Sequence, residues 1–371
     1  MPGLKTMSVS ESAPLHIRAI APYQPGKPVS ELAREMGLDE SSIIKLASNE
    51  NPLGVSPLAQ RAIRHVLSEL SRYPDGNGYE LKRALGQHYG LGPERIVLGN
   101  GSNDVLDLAA RAFLTAADEA VYSQHAFAVY PLAVQAMGAR GVEVPACDYG
   151  HDLDAMARAI KPGTRLVFIA NPNNPTGTYV AGDVLEKFVA AVPKHVLVVL
   201  DEAYNEYLPQ HVRTDTVAWL SRFENLVLSR TFSKVYGLAG LRVGYALASP
   251  SVADLMNRVR QPFNVNSVAL AAAAAALGDA EFLRRSHELN LAGMKQIVAG
   301  LQSLGLRYIP SFGNFVSFEV ANAVAVYQAL LKAGVIVRPI AGYGMPNHLR
   351  VSIGLESENA RFLESLRQAV A

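Results

Sequence analysis

The stretch Val196-Leu197-Val198-Val199-Leu200-Asp201-Glu202-Ala203-Tyr204 decides how the rest of the chain is read. Five apolar residues in a row suit a strand covered on both faces, as in a parallel sheet flanked by helices. Acids follow at once, at the carboxyl end of that strand, where open α/β sheets bind their ligands. A carboxylate at the mouth of a buried strand needs a partner, because burying it alone is costly. A protonated ring nitrogen would serve, and Tyr204 can face the same pocket. Read by itself, Asp201 could equally cap a following helix.

The same grammar extends outward. Short apolar runs at 95–98, 120–122, 165–169, 226–228 and 243–247 read as strands, with helical stretches such as 105–113 and 184–192 between them. This is the pattern of an α/β domain, placed at residues 52–262. Beyond Pro262 come long helical stretches at 267–277 and 281–304, a strand-like 314–320, a helix at 323–333, strand-like 335–338 and 349–353, and a last helix from Glu358. Residues 263–371 therefore read as a smaller α+β domain. Residues 1–51 carry Pro22, Pro25 and Pro28 and a short helix near 29–36; they are expected to pack on the small domain or on a dimer partner. The longest apolar run, 268–277, is mostly alanine and about half of a membrane span, so it reads as a tightly packed helix.

Composition excludes several classes. A net charge of +1 gives no large field for nucleic acid or an anionic membrane. The single cysteine, Cys147, excludes an internal disulfide framework and a cysteine-built zinc site, and fits a reducing cytoplasm. None of the nine histidines shows metal-ligand spacing, so no metal is expected. The first fourteen residues lack the apolar core of a secretory leader, so no secretory signal is expected there.

Three further segments sit where predicted strands end. Gly99-Asn100-Gly101-Ser102-Asn103-Asp104 lets backbone approach an anion at a helix start, with Ser102 and Asn103 able to cap the helix and touch phosphate. It fails the dinucleotide fingerprint, because Asp104 stands where the third glycine belongs. Asn171-Pro172-Asn173-Asn174-Pro175-Thr176-Gly177 is a constrained turn that could aim the Asn174 amide. Ser229-Arg230-Thr231-Phe232-Ser233-Lys234-Val235-Tyr236-Gly237-Leu238-Ala239-Gly240-Leu241-Arg242-Val243-Gly244 places a lysine among hydroxyls, with Arg242 eight residues on. A lysine whose pKa is lowered in a pocket forms imines readily, and Thr231, Ser233 and Arg242 offer phosphate donors.

In this order and spacing, the four segments resemble fold type I pyridoxal-phosphate aminotransferases, over nearly the whole chain. Within that superfamily the chain resembles the histidinol-phosphate aminotransferases, a class II subfamily. The residues that carry this are Ala21-Pro22-Tyr23-Gln24-Pro25-Gly26-Lys27-Pro28, Leu46-Ala47-Ser48-Asn49-Glu50-Asn51-Pro52, Arg72-Tyr73-Pro74-Asp75-Gly76, Ile336-Val337-Arg338-Pro339 and His348-Leu349-Arg350-Val351-Ser352. The fold implied is a mostly parallel central sheet flanked by helices, with a smaller α+β domain.

The resemblance implies roles. Lys234 matches the lysine that holds pyridoxal 5'-phosphate as a Schiff base. Asp201 matches the carboxylate paired with the pyridine nitrogen. Tyr204 and Asn174 match donors to the phenolic oxygen. Ser102, Asn103, Thr231, Ser233 and Arg242 match the phosphate cup, and Phe127 matches the aromatic stacked on the ring, where many relatives have tyrosine. Tyr73 matches a residue that reaches the neighbouring subunit's cofactor phosphate, which implies a homodimer with shared active sites. Arg350 and Arg338 are expected to clamp substrate anions, with Tyr23 adding a hydroxyl. The implied substrates are L-histidinol phosphate and 2-oxoglutarate, giving imidazole acetol phosphate and L-glutamate. An aromatic amino acid aminotransferase and a threonine-phosphate decarboxylase share the framework and stand as alternatives.

Overall fold

A computed structural model describes residues 8–371. Seven strands form the large sheet: β1 (Ile96–Gly99), β2 (Glu119–Ser123), β3 (Arg140–Val144), β4 (Thr164–Ala170), β5 (Leu197–Asp201), β6 (Leu226–Thr231) and β7 (Gly244–Ala248). Their spatial order is β1-β7-β6-β5-β4-β2-β3. β6, β5, β4, β2 and β3 pair in parallel, while β7 runs antiparallel to both β1 and β6.

The unbroken apolar run of β5 has a two-sided explanation. Val198 and Leu200 face one cluster, completed by the helices Pro57–Val66, Tyr79–Tyr89, Gly182–Ala191 and Ser267–Ala276. Leu197 and Val199 face the other, completed by the helices Ser102–Phe113, Val129–Ala136 and Pro250–Val259. Alternation puts successive side chains on opposite faces, and here both faces are dry. Full burial of each such valine or leucine contributes about 1.5–3 kcal/mol. The alanine-rich helix Ser267–Ala276 buries Ala269, Ala272, Ala273 and Ala276 in the first cluster. Small side chains there let it lie close against its neighbours.

A second sheet has four antiparallel strands, ordered Arg338–Pro339, His348–Ser352, Phe315–Glu319 and Tyr308–Ile309. Its core is separate, built with the helices Ala280–Ser303, Ala323–Lys332 and Glu356–Val370. Ile44–Lys45 pairs in parallel with Val335–Ile336. The helix Val29–Met36 buries Leu32 and Ala33 against Leu331 and Ile336.

Four sequence expectations are corrected. β3 was not among the predicted strands: it lies at the sheet edge and is mostly exposed, so Arg140 and Glu143 break its apolar pattern. The expected strand at 335–338 is two short strands on different partners, Val335–Ile336 and Arg338–Pro339. Ser102 and Asn103 do not cap the helix they precede in sequence; they are its first residues, Gly101 is the N-cap, and no side chain caps it. Asp201 caps no α-helix either, since only a 3-10 turn, Asn205–Tyr207, comes after it.

Candidate active site

β4, β5 and β6 end side by side, with Ala170 in register with Asp201 and Asp201 with Ser229. Asp201 is 5% exposed. Tyr130 Oη donates to its Oδ2 at 2.9 Å and the Ala203 N–H to its Oδ1 at 3.2 Å. Among the described residues it has no ion-pair partner. Burial pushes its carboxyl up to about 6, with the Tyr130 hydrogen bond pulling the other way.

The loop after β6 carries Lys234. Its Nζ donates to the Ser48 carbonyl at 3.4 Å and lies 5.6 Å from the centre of the Tyr204 ring. Burial, then the nearby Arg350 guanidinium, pushes the amine down to about 8. Tyr204 Oη accepts from Asn49 Nδ2 at 2.8 Å, which leaves its own proton free to be donated. Burial holds that phenol up at about 12, so the proton is present at neutral pH.

One end of the pocket is built for an anion. The helix Ser102–Phe113 starts there with its first-turn N–H groups uncapped by any side chain. Gly101 has φ 81°, and a Cβ at that position would collide with the Arg242 guanidinium. The glycine therefore allows the arginine to lie against the backbone. Arg242 Nη1 donates to Ser233 Oγ at 3.3 Å and to the Ala239 carbonyl at 3.0 Å, and the Ser233 N–H donates to Thr231 Oγ1 at 3.1 Å.

The opposite wall comes from the second sheet. Arg350, on His348–Ser352, is 6% exposed. Its Nη1 donates to Asn174 Oδ1 and its Nη2 to the Ala47 carbonyl at 2.9 Å, while Nε is buried without a partner. With Oδ1 of Asn174 taken, Nδ2 is the group left to donate. Arg338 donates to the Gln24 carbonyl and lies 5.5 Å from the centre of the Tyr23 ring.

All of the sequence-predicted site residues except Tyr73 line one cavity of about 360 Å³: Tyr23, Ser102, Asn103, Phe127, Asn174, Asp201, Tyr204, Thr231, Ser233, Lys234, Arg242, Arg338 and Arg350. Tyr73 stands outside it, 83% exposed and stacked on Phe263 at 4.8 Å. The residues present fit pyridoxal 5'-phosphate, the group implied by the resemblance. A buried carboxylate lacks a cation, a helix start and an arginine converge where a phosphate would go, and a lysine with a lowered pKa lies between them.

Three residues of the site were missed from sequence. Tyr130 holds Asp201, Asn49 holds Tyr204, and Tyr343 lines the cavity. Asn49 lies inside the stretch Leu46–Pro52 and Tyr130 three residues after Phe127, but neither place in the sequence shows which phenol or carboxylate the side chain meets. Tyr343 carries no local signal.

Comparisons with known proteins show which family the chain resembles over nearly its whole length. The family described as aminotransferase class I and II matches residues 41–366. Histidinol-phosphate aminotransferase 2 of Nitrosospira multiformis is 63% identical over 365 residues, covering 98% of this chain and 93% of the relative. The histidinol-phosphate aminotransferase of Methylobacillus flagellatus is 65% identical over 356 residues, covering 96% of each. The crystal structure of histidinol-phosphate aminotransferase from Sinorhizobium meliloti in complex with pyridoxal-5'-phosphate superposes with a TM-score of 0.88 at 29% identity, covering 96% of each chain. Matched by that family over most of its length and by these relatives at 63% and 65% identity, the chain belongs to the histidinol-phosphate aminotransferase family of the class I and II aminotransferases.

Proposed function

We propose that this chain transfers the amino group of L-histidinol phosphate to 2-oxoglutarate, giving imidazole acetol phosphate and L-glutamate, as a step of histidine biosynthesis. The observation that carries the reading is one cavity holding Lys234 together with the buried Asp201 and Arg350, in a chain 63% identical to a histidinol-phosphate aminotransferase. Pyridoxal 5'-phosphate, when bound, supplies an electron sink for the bonding pair released at the substrate carbon.

The chain's own groups do the rest. Ser102, Asn103, Thr231, Ser233 and Arg242 would hold the cofactor phosphate, and Phe127 would pack on its ring. Asp201, ionised above about pH 6, keeps the ring nitrogen protonated. Asn174 and Tyr204 donate to the phenolic oxygen through the protons left free by Arg350 and Asn49. Lys234 would hold the cofactor and, as an amine that burial lowers to about 8, would take the proton from the amine-bearing carbon of the substrate. A positioned base of this kind contributes about 10²–10⁴-fold.

Histidinol phosphate has no carboxylate beside its amine and carries a phosphate ester one carbon further out. The site must take that phosphate and the carboxylates of glutamate by turns. A guanidinium fork binds either anion in bidentate fashion, so Arg350 and Arg338, with the Tyr23 hydroxyl, form the clamp.

Residues 52–262 would form the cofactor domain and 263–371 the substrate-clamp domain; of the segment 1–51, whose first seven residues lie outside the described ones, the rest would pack on the small domain or on a dimer partner. Tyr73 would reach the cofactor phosphate of a second copy, making a homodimer with shared sites. A biosynthetic role and a single cysteine fit a cytoplasmic enzyme.

The test is a half-reaction screen of the cofactor-loaded protein with histidinol phosphate, phenylalanine, tyrosine and threonine phosphate. The expected result is the fastest conversion to aminated cofactor with histidinol phosphate. A response only to the aromatic amino acids, or carbon dioxide release from threonine phosphate, overturns the assignment.

A further inference from the structure

Tyr343 enters the cavity from a short 3-10 turn, Ala341–Tyr343, closed by Gly344 at φ 72°. Burial raises the pKa of its phenol, against the pull of Arg350 and Arg338, which are among the charged groups that face it. The phenol is therefore protonated at neutral pH, beside the two arginines of the proposed clamp. Such a group can donate one hydrogen bond to an anion held there.

What fixes Tyr343 comes from the other sheet. His125 follows β2, two residues before Phe127, and its Nδ1 meets the Tyr343 carbonyl at 2.5 Å. The carbonyl of His125 itself accepts from Asn173 Nδ2 at 3.1 Å, next to Asn174. His125 has φ 56°, a left-handed conformation uncommon outside glycine. Its ring is 6.0 Å from that of Tyr149, and Tyr149 packs on His348 at 5.5 Å. Tyr149 is itself at φ 63°, in the tight turn bridged by Cys147 and Gly150. His348 lies two residues before Arg350 on the same strand. His125 thus meets the Tyr343 segment through its ring and the Asn173–Asn174 segment through its carbonyl, precedes Phe127 by two residues, and neighbours Tyr149, which packs on the strand that carries Arg350. Strained backbone held from several sides is a recurrent mark of functional positioning.

We propose that Tyr343 donates to the substrate anion, and that His125 is a positioning residue that sets it there by tying its carbonyl across the two sheets. This rests on the reading of Arg350 and Arg338 as the anion clamp. Nothing in the sequence motifs assigns either role.

The experiment compares Tyr343→Phe, His125→Ala and His125→Asn with the wild type, all cofactor-loaded. It reads KM and kcat for histidinol phosphate and for glutamate, together with the melting temperature. Asparagine tolerates the left-handed conformation and keeps an N–H donor near the Nδ1 position, so it serves as the conservative rescue. Loss of one hydrogen bond of ordinary strength corresponds to about a fivefold to tenfold change in binding. Tyr343→Phe and His125→Ala are expected to raise KM by that factor with kcat within about twofold, and His125→Asn to restore it. Unchanged KM in Tyr343→Phe, or a His125→Asn variant as impaired as His125→Ala, overturns the inference. If the wild type does not turn over histidinol phosphate at all, it is the proposed substrate that fails. The same variants then decide the positioning role on glutamate, whose carboxylate would meet the same arginines.

Discussion

Asp201 is a buried carboxylate held by one phenol and one backbone amide, and the cofactor-free protein bears the cost of its charge. Its pKa lies near 6 in the folded chain against 3.8 for the free side chain. Between those values the folded state keeps a proton that the unfolded state has lost. Stability of the cofactor-free protein therefore falls as pH rises through that window, and above about pH 6 the full cost, on the order of 3 kcal/mol, is in place. Asp201→Asn removes the charge. The cofactor-free variant is expected to melt above the cofactor-free wild type at pH 8, with the gap closing as pH falls below about 4. The loaded variant should at the same time lose about a hundredfold or more in kcat, because its ring nitrogen has no anionic partner. Thermal melts across pH and single-turnover rates check the two halves separately. Stability and catalysis pull in opposite directions at this one side chain.

At the scale of elements, the junction between β1 and the helix Ser102–Phe113 depends on Gly101. A methyl group there meets the Arg242 guanidinium, and φ 81° is strained for any other residue. Gly101→Ala is expected to weaken cofactor affinity by about tenfold or more and to destabilise the fold by about 1–3 kcal/mol. Equilibrium titration of the cofactor-free protein with pyridoxal phosphate measures the first effect. Behind the site, on the face of the sheet away from the cavity, Glu202 and Arg230 fasten β5 to β6. The pair meets at 2.8 Å, both partners are buried, and Thr216 and Tyr89 complete the hydrogen bonds. Glu202→Ala leaves the Arg230 charge buried and unpaired, so it should cost about 3–5 kcal/mol in a denaturant titration. Replacing both partners with apolar residues of similar volume should recover most of that loss.

For the whole molecule, the exposed Tyr73 is the informative residue. Its ring stacks on Phe263 rather than entering the cavity of its own chain. In the proposed shared-site dimer, a Lys234→Ala subunit and a Tyr73→Ala subunit are each defective alone. A mixed dimer holds one site with both defects and one with neither. Refolding the two variants together in equal amounts is therefore expected to give about a quarter of the wild-type turnover per subunit, since half of the dimers are mixed and each has one intact site. Activity no higher than the sum of the separate variants would place Tyr73 outside the neighbour's site.

The amino-acid order alone determined the class of fold, because two-sided burial demands apolar runs such as Val196–Leu200 and because glycines and prolines punctuate the loops at fixed places. It also named the residues at the strand ends, which need only their local sequence to be recognised. It did not reveal β3, whose edge position tolerates charge, or the uncapped start of the helix at Ser102. Nor did it pair Tyr130 with Asp201, 71 residues apart, or His125 with Tyr343, 218 apart. Those partnerships are decided by how two separately built sheets meet around one cavity. Local pattern records whether a side chain is buried, and only the packed chain determines which group it is buried against.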